Sequence, residues 1–248
     1  MEMRTRAAVL LGVAFAHDIR LIASALGPPL ADVVTRAHAN EVVAALAGTR
    51  QHAVQHAAAG VDLVVAQGTE ASGHTGELST TVVDPEVVEA VSPTAVLAAG
   101  GIARGCQVAA TLASGPEGVW CGSVWLTTEE AEMPSVVKDK FLAASSSDTV
   151  PSLIGKLART VRTAWTDECD RHDAPEPLGM PLQSALIGDP QLCIHQAASN
   201  ADSRAASWRP LSGRSWLAAK GAAGALGVLD MVDEFIDEVQ RLGKLVQR

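Results

Sequence analysis

The sequence predicts an α/β protein: a partial TIM (β/α)8 barrel of about five C-terminal β/α units, followed by a mainly helical region. Three observations carry that reading. Apolar runs alternate with helix-patterned stretches between residues 19 and 126. The apolar runs are near-continuous, as in parallel strands buried on both faces. Glycine-rich polar segments follow successive runs, at the strand ends where barrels place their chemistry.

Residues 19–26 (IRLIASAL) read as a buried strand, and 28–39 as a helix with Val33, Val34 and Ala37 on one face. Residues 41–47 (EVVAALA) give the next strand and 50–59 the next helix. Residues 61–67 (VDLVVAQ) form a strand ending at Gly68. A helix is predicted over 84–91, with Pro85 in its first turn, where its missing N–H costs nothing. Residues 95–99 (AVLAA) are a strand closed by Gly100 and Gly101, 104–113 a helix, and 118–126 (GVWCGSVWL) a final strand.

A complete barrel spends ~250 residues on eight units, about 30 on each, so 1–127 holds only about five. Either three strands are missing or the sheet is open. The second region, 128–248, is predicted as a small helical domain whose last helix returns to the barrel. Residues 128–144 read as helical, while 145–147, 175–181 and 199–215 read as loop or irregular chain. Residues 228–245 form an amphipathic helix with Leu229, Val232, Ile236, Val239 and Leu242 on its expected buried face.

Composition narrows the function. Of 248 residues, 48% are hydrophobic and 3% aromatic, with no Tyr, so the core must be built mainly from Ala, Val and Leu. The net charge of −9, without a basic run, argues against nucleic acid and anionic membrane as partners. The short run VLLGVAFA is broken by His17, Asp18 and Arg20 and falls short of the ~20 apolar residues of a membrane span. Cys106, Cys121, Cys169 and Cys193 form no CxxC pair or zinc pattern. Reduced thiols and a cytoplasmic location are expected.

The densest chemical cluster is Gln67-Gly68-Thr69-Glu70-Ala71-Ser72-Gly73-His74, directly after a strand. Its small residues let backbone approach a ligand closely. Gln67 can both donate and accept hydrogen bonds. An imidazole, with an ordinary pKa of ~6.5, exchanges protons near neutrality, so His74 is the candidate base. Gly100-Gly101 and Cys121-Gly122-Ser123 are candidate phosphate turns, because glycine-freed N–H groups bind phosphate well. Cys121 reads as a small buried side chain rather than a redox group. His17, His38, His52 and His56 are expected at solvated positions.

VDLVVAQGTEASGHTGE, TAVLAAGGIARG and GVWCGSVWLTTEEAE together resemble the nitronate monooxygenase family. IRLIASALGPPLADVVTRAHA resembles the strand and helix preceding them, and SSSDTV, RTAWT and PLGMPLQ the family's C-terminal part. The resemblance implies an FMN-binding barrel with a smaller helical domain. It implies that His74 is the base acting on the carbon beside a nitro group and that Gln67 bonds the flavin ring. Gly68, Ser72 and Gly73 would lie at the cofactor. Gly100 and Gly101 would form one phosphate loop, with Cys121, Gly122 and Ser123 in the other. The implied reaction oxidises an alkyl nitronate with O2 to a carbonyl compound and nitrite, without a nicotinamide, and leaves room for a homodimer.

The chain departs from the family pattern in places. It enters at what corresponds to the fourth strand, so the Gly/Met-rich first strand of the family has no match. Ser72 replaces the first glycine of Gly-Gly-His, Ala39-Asn40-Glu41 lacks a glycine, and residues 216–227 differ from the family. Two alternatives therefore stand beside the monooxygenase: an FMN-dependent enoyl-reductase-like or NAD(P)H:quinone reductase, and an inactive truncated remnant.

Overall fold

The computed structural model describes residues 9–25, 27–39, 41–128, 130–144, 148–153, 157–179, 182–202, 211–212 and 228–246. The expected loop at 145–147, most of the irregular stretch 199–215, and residues 216–227 lie outside the described residues.

Five parallel strands form the main sheet in the order β1-β2-β3-β5-β6. They are β1 (Leu21–Ser24), β2 (Val42–Ala47), β3 (Leu63–Gln67), β5 (Ala95–Ala99) and β6 (Gly118–Val119). The two-residue β4 (Gly73–His74) belongs to a second sheet. Between the main strands run α1 (Ala31–Ala37), α2 (Arg50–Ala58), α3 (Thr80–Val91) and α4 (Gly105–Ala113). This is the predicted alternation, with β1 and β6 at the two edges.

Central strands are buried because helices cover one face and the other turns inward. Val43, Ala45, Val64, Ala66 and Val96 pack with Val83 and Val87 of α3 in the principal core. Ala44, Val65 and Ala99 form a smaller cluster on the opposite face. Small and β-branched side chains suit this close strand–helix packing.

Several boundaries differ from the sequence reading. The first strand is shorter and half-exposed, since an edge strand has a neighbour on one side only. Helix α1 waits until Ala31 because Pro28 and Pro29 disfavour helical backbone before them. Helix α3 begins at Thr80, so Pro85 lies inside it rather than in its first turn. Its start is set from outside, by the Glu70 carboxylate bonded to the Thr80 N–H. The predicted strand over 118–126 stops at Val119 and turns into a 3-10 helix, Ser123–Thr127. The turn is tied by Trp125 Nε1 donating to the Cys121 carbonyl at 3.0 Å.

His56 is also not solvated. It is 2% exposed, with Nε2 3.0 Å from the Leu46 carbonyl, and burial pushes its pKa down. A neutral ring packed beneath β2 is the result.

The second region contains α5 (Ser135–Ala143), β7 (Thr149–Leu153), β8 (Leu157–Val161), α6 (Ala164–Cys169), α7 (Leu182–Ser199), β9 (Leu211–Ser212) and α8 (Val228–Val246). Of the predicted helix over 128–144, only the part from Ser135 is formed. Val137, Phe141, Ala144, Val161 and Ala198 make a separate core there. The antiparallel sheet β4-β8-β7 joins the two regions, with Gly73 opposite Arg159 and His74 opposite Ala158.

Helix α8 docks on α4, but not through the expected face. Leu229, Val232, Ile236, Val239 and Leu242 are 37–78% exposed, whereas Met231 is 7% exposed. The helix is turned by a polar anchor. Glu234 takes bonds from Arg104 Nε at 2.7 and 2.8 Å and from the Gly105 N–H at 3.0 Å. A Cβ on Gly105 would overlap the Phe235 backbone, so this approach needs glycine. Among the described residues no helix is long and apolar enough to cross a membrane.

Candidate active site

Strand register brings three turns to one level. Gln67 lies opposite Ala99, and Ala98 opposite Val119. The Gly68 N–H donates to the Ala99 carbonyl at 2.9 Å, and the Trp120 N–H to the Ala98 carbonyl at 2.8 Å. The segments leaving β3, β5 and β6 therefore meet at the C-terminal rim of the sheet.

They enclose a cleft of about 210 Å3. Gln67, Ser72, Gly100, Gly101, Cys121, Gly122 and Ser123 are all on its wall. Leu46, Ile102 and Trp120 supply apolar surface, which the sequence reading did not assign. Gly68, Gly73 and His74 are not on this wall. Gly68 has a different duty: a Cβ there would overlap Thr80, so it lets α3 close against the end of β3.

The Gly100-Gly101 turn has φ of 146° and 67°, a backbone that side chains other than glycine's rarely adopt. Gln107 shapes it. Its amide nitrogen donates to the Gly101 carbonyl at 3.0 Å, while its oxygen accepts from the Ala103 and Arg104 N–H groups. Gly122 has open space where a Cβ would stand. The Gly105 N–H at the start of α4 is taken by Glu234 at 3.0 Å.

Two hydroxyls cross the cleft: Ser123 Oγ donates to Ser72 Oγ at 3.0 Å. Burial pushes the Cys121 thiol up, so it is held as a neutral, weakly polar group and not as a nucleophilic thiolate. Among the described residues no group of three or more His, Cys, Asp or Glu could hold a metal ion.

His74 stands two residues beyond Ser72, across Gly73 with its φ of 72°. Its ring is half-buried, and Nδ1 is buried without a hydrogen-bond partner among the described residues. The loop carrying it is held from both sides. Glu70 Oε2 accepts from the Thr80 N–H at 2.9 Å and from its hydroxyl at 2.7 Å. From the second region, Arg159 Nε donates to the Thr69 carbonyl at 2.8 Å. Glu70 was visible within the cluster but not separable from its neighbours. Arg159 lies 90 residues away from Thr69 and carries no local signal.

Comparison with known proteins places this geometry. The nitronate monooxygenase family profile matches residues 6–208. A provisionally assigned monooxygenase of Mycobacterium tuberculosis is 68% identical over 247 aligned positions, covering 96% of this chain and 65% of the relative. A provisionally assigned nitronate monooxygenase of Staphylococcus aureus is 31% identical, covering 70% of this chain and 51% of its own length. The chain thus spans about half to two thirds of those curated relatives. Among solved structures, nitroalkane oxidase from Streptomyces ansochromogenes aligns with TM-score 0.79 and 25% identity over 94% of this chain and 68% of its own. FabK from Thermotoga maritima aligns with TM-score 0.79 and 26% identity over 95% of this chain and 74% of its own. With its barrel strands in order and its glycine turns on one rim, the chain belongs to the nitronate monooxygenase family.

Proposed function

We propose that this chain carries the C-terminal part of an FMN-dependent nitronate monooxygenase site. In this reading it oxidises alkyl nitronates with O2 to a carbonyl compound and nitrite. One observation carries the reading: Gln67, Ser72, both glycines of the Gly100-Gly101 turn, and Gly122-Ser123 share a single cleft.

The cradle fits a phosphate-bearing cofactor. The Gly100-Gly101 turn is in left-handed backbone, Gly122 is open above its Cα, and among the described residues no carboxylate lines the wall. A volume of 210 Å3 is below the ~300 Å3 of a small ligand pocket, so the cleft has room for part of FMN and not for the whole molecule. Gln67 offers a donor and an acceptor to the ring, and Trp120 and Ile102 give the cleft apolar surface. When bound, the flavin supplies the electron transfer. In this reading His74, two residues beyond Ser72, takes the proton from the carbon beside the nitro group of a neutral nitroalkane. The partners are then a small nitronate or nitroalkane and O2, acting on a cytoplasmic protein that can pair as a homodimer.

The likeness to FabK, as close as that to nitroalkane oxidase, favours a second reading, a flavin-dependent reductase of the enoyl-reductase or quinone-reductase kind. Spectra decide between them. The purified protein mixed with FMN is expected to show bound-flavin absorbance. It should bleach anaerobically with a nitronate but not with NADPH, and the reverse pattern selects the reductase. His74→Ala and His74→Asn are expected to keep FMN and lose at least a hundredfold in turnover of neutral nitroalkanes. Normal turnover there would remove His74 from the mechanism, and a colourless protein would leave the inactive remnant.

A further inference from the structure

We propose that Glu70 is a positioning residue for the His74 loop, and that Asp84 beneath it sets the pH range over which that hold is intact. The consequence for catalysis rests on the flavin reading above; the hold itself does not.

One carboxylate joins three pieces of the rim. Glu70 lies four residues before His74 and caps α3 from outside through the Thr80 N–H and hydroxyl. The helix's own N-cap residue, Ser79, makes no side-chain cap bond. Thr80 is wedged between the ends of β3 and β5, since a Cβ on Gly68 or Gly100 would overlap it. A Cβ on Gly101 would meet Glu70 Cβ at 3.2 Å, so the Glu70 stem also underlies the second turn of the cleft. The Thr69 N–H donates to the Leu78 carbonyl at 2.7 Å and closes the neck of the loop. Removing the Glu70 carboxylate frees the N-terminus of α3 and the floor of the loop together.

Asp84 stands one helical turn below Thr80. It is 1% exposed, and its Oδ1 has no hydrogen-bond partner among the described residues. Burial first, and the Glu70 charge second, push its carboxyl up to about 7. Among the described residues, the elements packed on Asp84 offer no countercharge. Beta strands β3 and β5 present Val64, Ala66, Val96 and Ala98. From α2, the His56 ring is bonded to the Leu46 carbonyl, and Arg50 and His52 are exposed. Glu86 and Glu89 on α3 itself are exposed.

Below about pH 7 Asp84 is neutral and adds no charge beside the Glu70 carboxylate at the helix N-terminus. Above about pH 7 Asp84 ionises, and two anions share the site; Arg159, bonded to the Thr69 carbonyl, is a cation at the same loop. The repulsion acts on the Glu70 carboxylate, whose bonds to the Thr80 N–H and hydroxyl tie the loop to α3. A folded-state pKa raised above the unfolded one means that stability falls as pH rises from about 4 and levels off above about 7.

The test uses the full chain, Glu70→Gln, Glu70→Ala and Asp84→Asn, at pH 6 and pH 8.5. Amide exchange of residues 69–76, corrected for intrinsic rates, is read with thermal unfolding and FMN affinity. The parent is expected to lose at least threefold in loop protection and FMN affinity between the two pH values. Asp84→Asn should lose that dependence and melt higher than the parent at pH 8.5. Glu70→Ala should expose the loop at both pH values, and Glu70→Gln, which keeps an acceptor for Thr80, should restore part of the protection. An unchanged pH dependence in Asp84→Asn, or parental loop protection in Glu70→Ala, overturns the proposal. Loss of the pH dependence of exchange without FMN binding in any protein supports the hold and refutes the flavin reading.

Discussion

At the scale of single residues, glycines and two bonded hydroxyls make the cleft, and their positions decide which substitutions are informative. Gly101 has a φ of 67° and faces the cleft. Asn tolerates that backbone better than most residues, whereas Asp adds the same shape with a negative charge. Gly101→Asn is therefore expected to cost about 1 kcal/mol of stability and leave much of the FMN affinity. Gly101→Asp is expected to bind FMN at least tenfold more weakly than the Asn variant, about 1.4 kcal/mol, because in the proposed site its carboxylate would face the phosphate. Fluorescence titration compares the two directly, and equal affinities would count against the phosphate assignment at this turn. Gln67, Gly100 and Gly101 stood out in the sequence because they end or follow apolar strands, whereas Gly122 lay inside the expected strand 118–126, and Gly68, Gly73 and His74 are off the cleft wall. His56 did not stand out, because nothing local distinguishes a histidine that bonds a carbonyl ten residues back from one in water. Asp84 stood in plain view in VVDPEVV, but a lone acid near a proline also fits a helix start.

At the scale of elements, the sequence pattern located strands and helices but not what rotates them. The apolar stripe of α8 predicts a buried face, yet the helix turns so that Glu234 reaches Arg104 and the Gly105 N–H. That anchor depends on two residues about 130 positions apart, which no periodicity encodes. The same limit explains α3, whose first turn is fixed by Glu70 from the preceding loop. Gly105 tests the docking of α8. Gly105→Ala places a methyl group against the Phe235 backbone, forces the helices apart, and removes the Glu234 cap. A loss of about 2–3 kcal/mol is expected, as for overpacking at a close contact. Amide exchange should rise along residues 228–246 while β2 and β3 keep their protection. Unchanged protection of α8 would show that the helices do not meet at Gly105.

At the scale of the whole molecule, the barrel and the second region meet at a short ladder as well as where α8 docks on α4. The barrel core centres on β2, β3 and α3, and the second core on Val137, Phe141 and Val161. Strand β8 serves both: Val161 is buried in the second core, while Ala158 and Arg159 pair with His74 and Gly73. The candidate base thus lies on the seam, and the second region helps to fix its backbone. The expected partial barrel was readable from strand count and length, but this seam was not, because β4 is two residues long and shows no alternation. Arg159→Met tests it. Methionine keeps much of the apolar stem and loses the bond from Nε to the Thr69 carbonyl. A charged hydrogen bond of this kind contributes about 1.5–3 kcal/mol, and half-exposure of the side chain places the expected loss near the lower figure. Thermal unfolding should shift down by a few degrees. Exchange should rise in residues 69–76 more than in α5, whose Val137 and Phe141 lie away from the seam. A fall in protection spread evenly over both cores would mean that Arg159 supports the second region as a whole rather than the loop that carries His74.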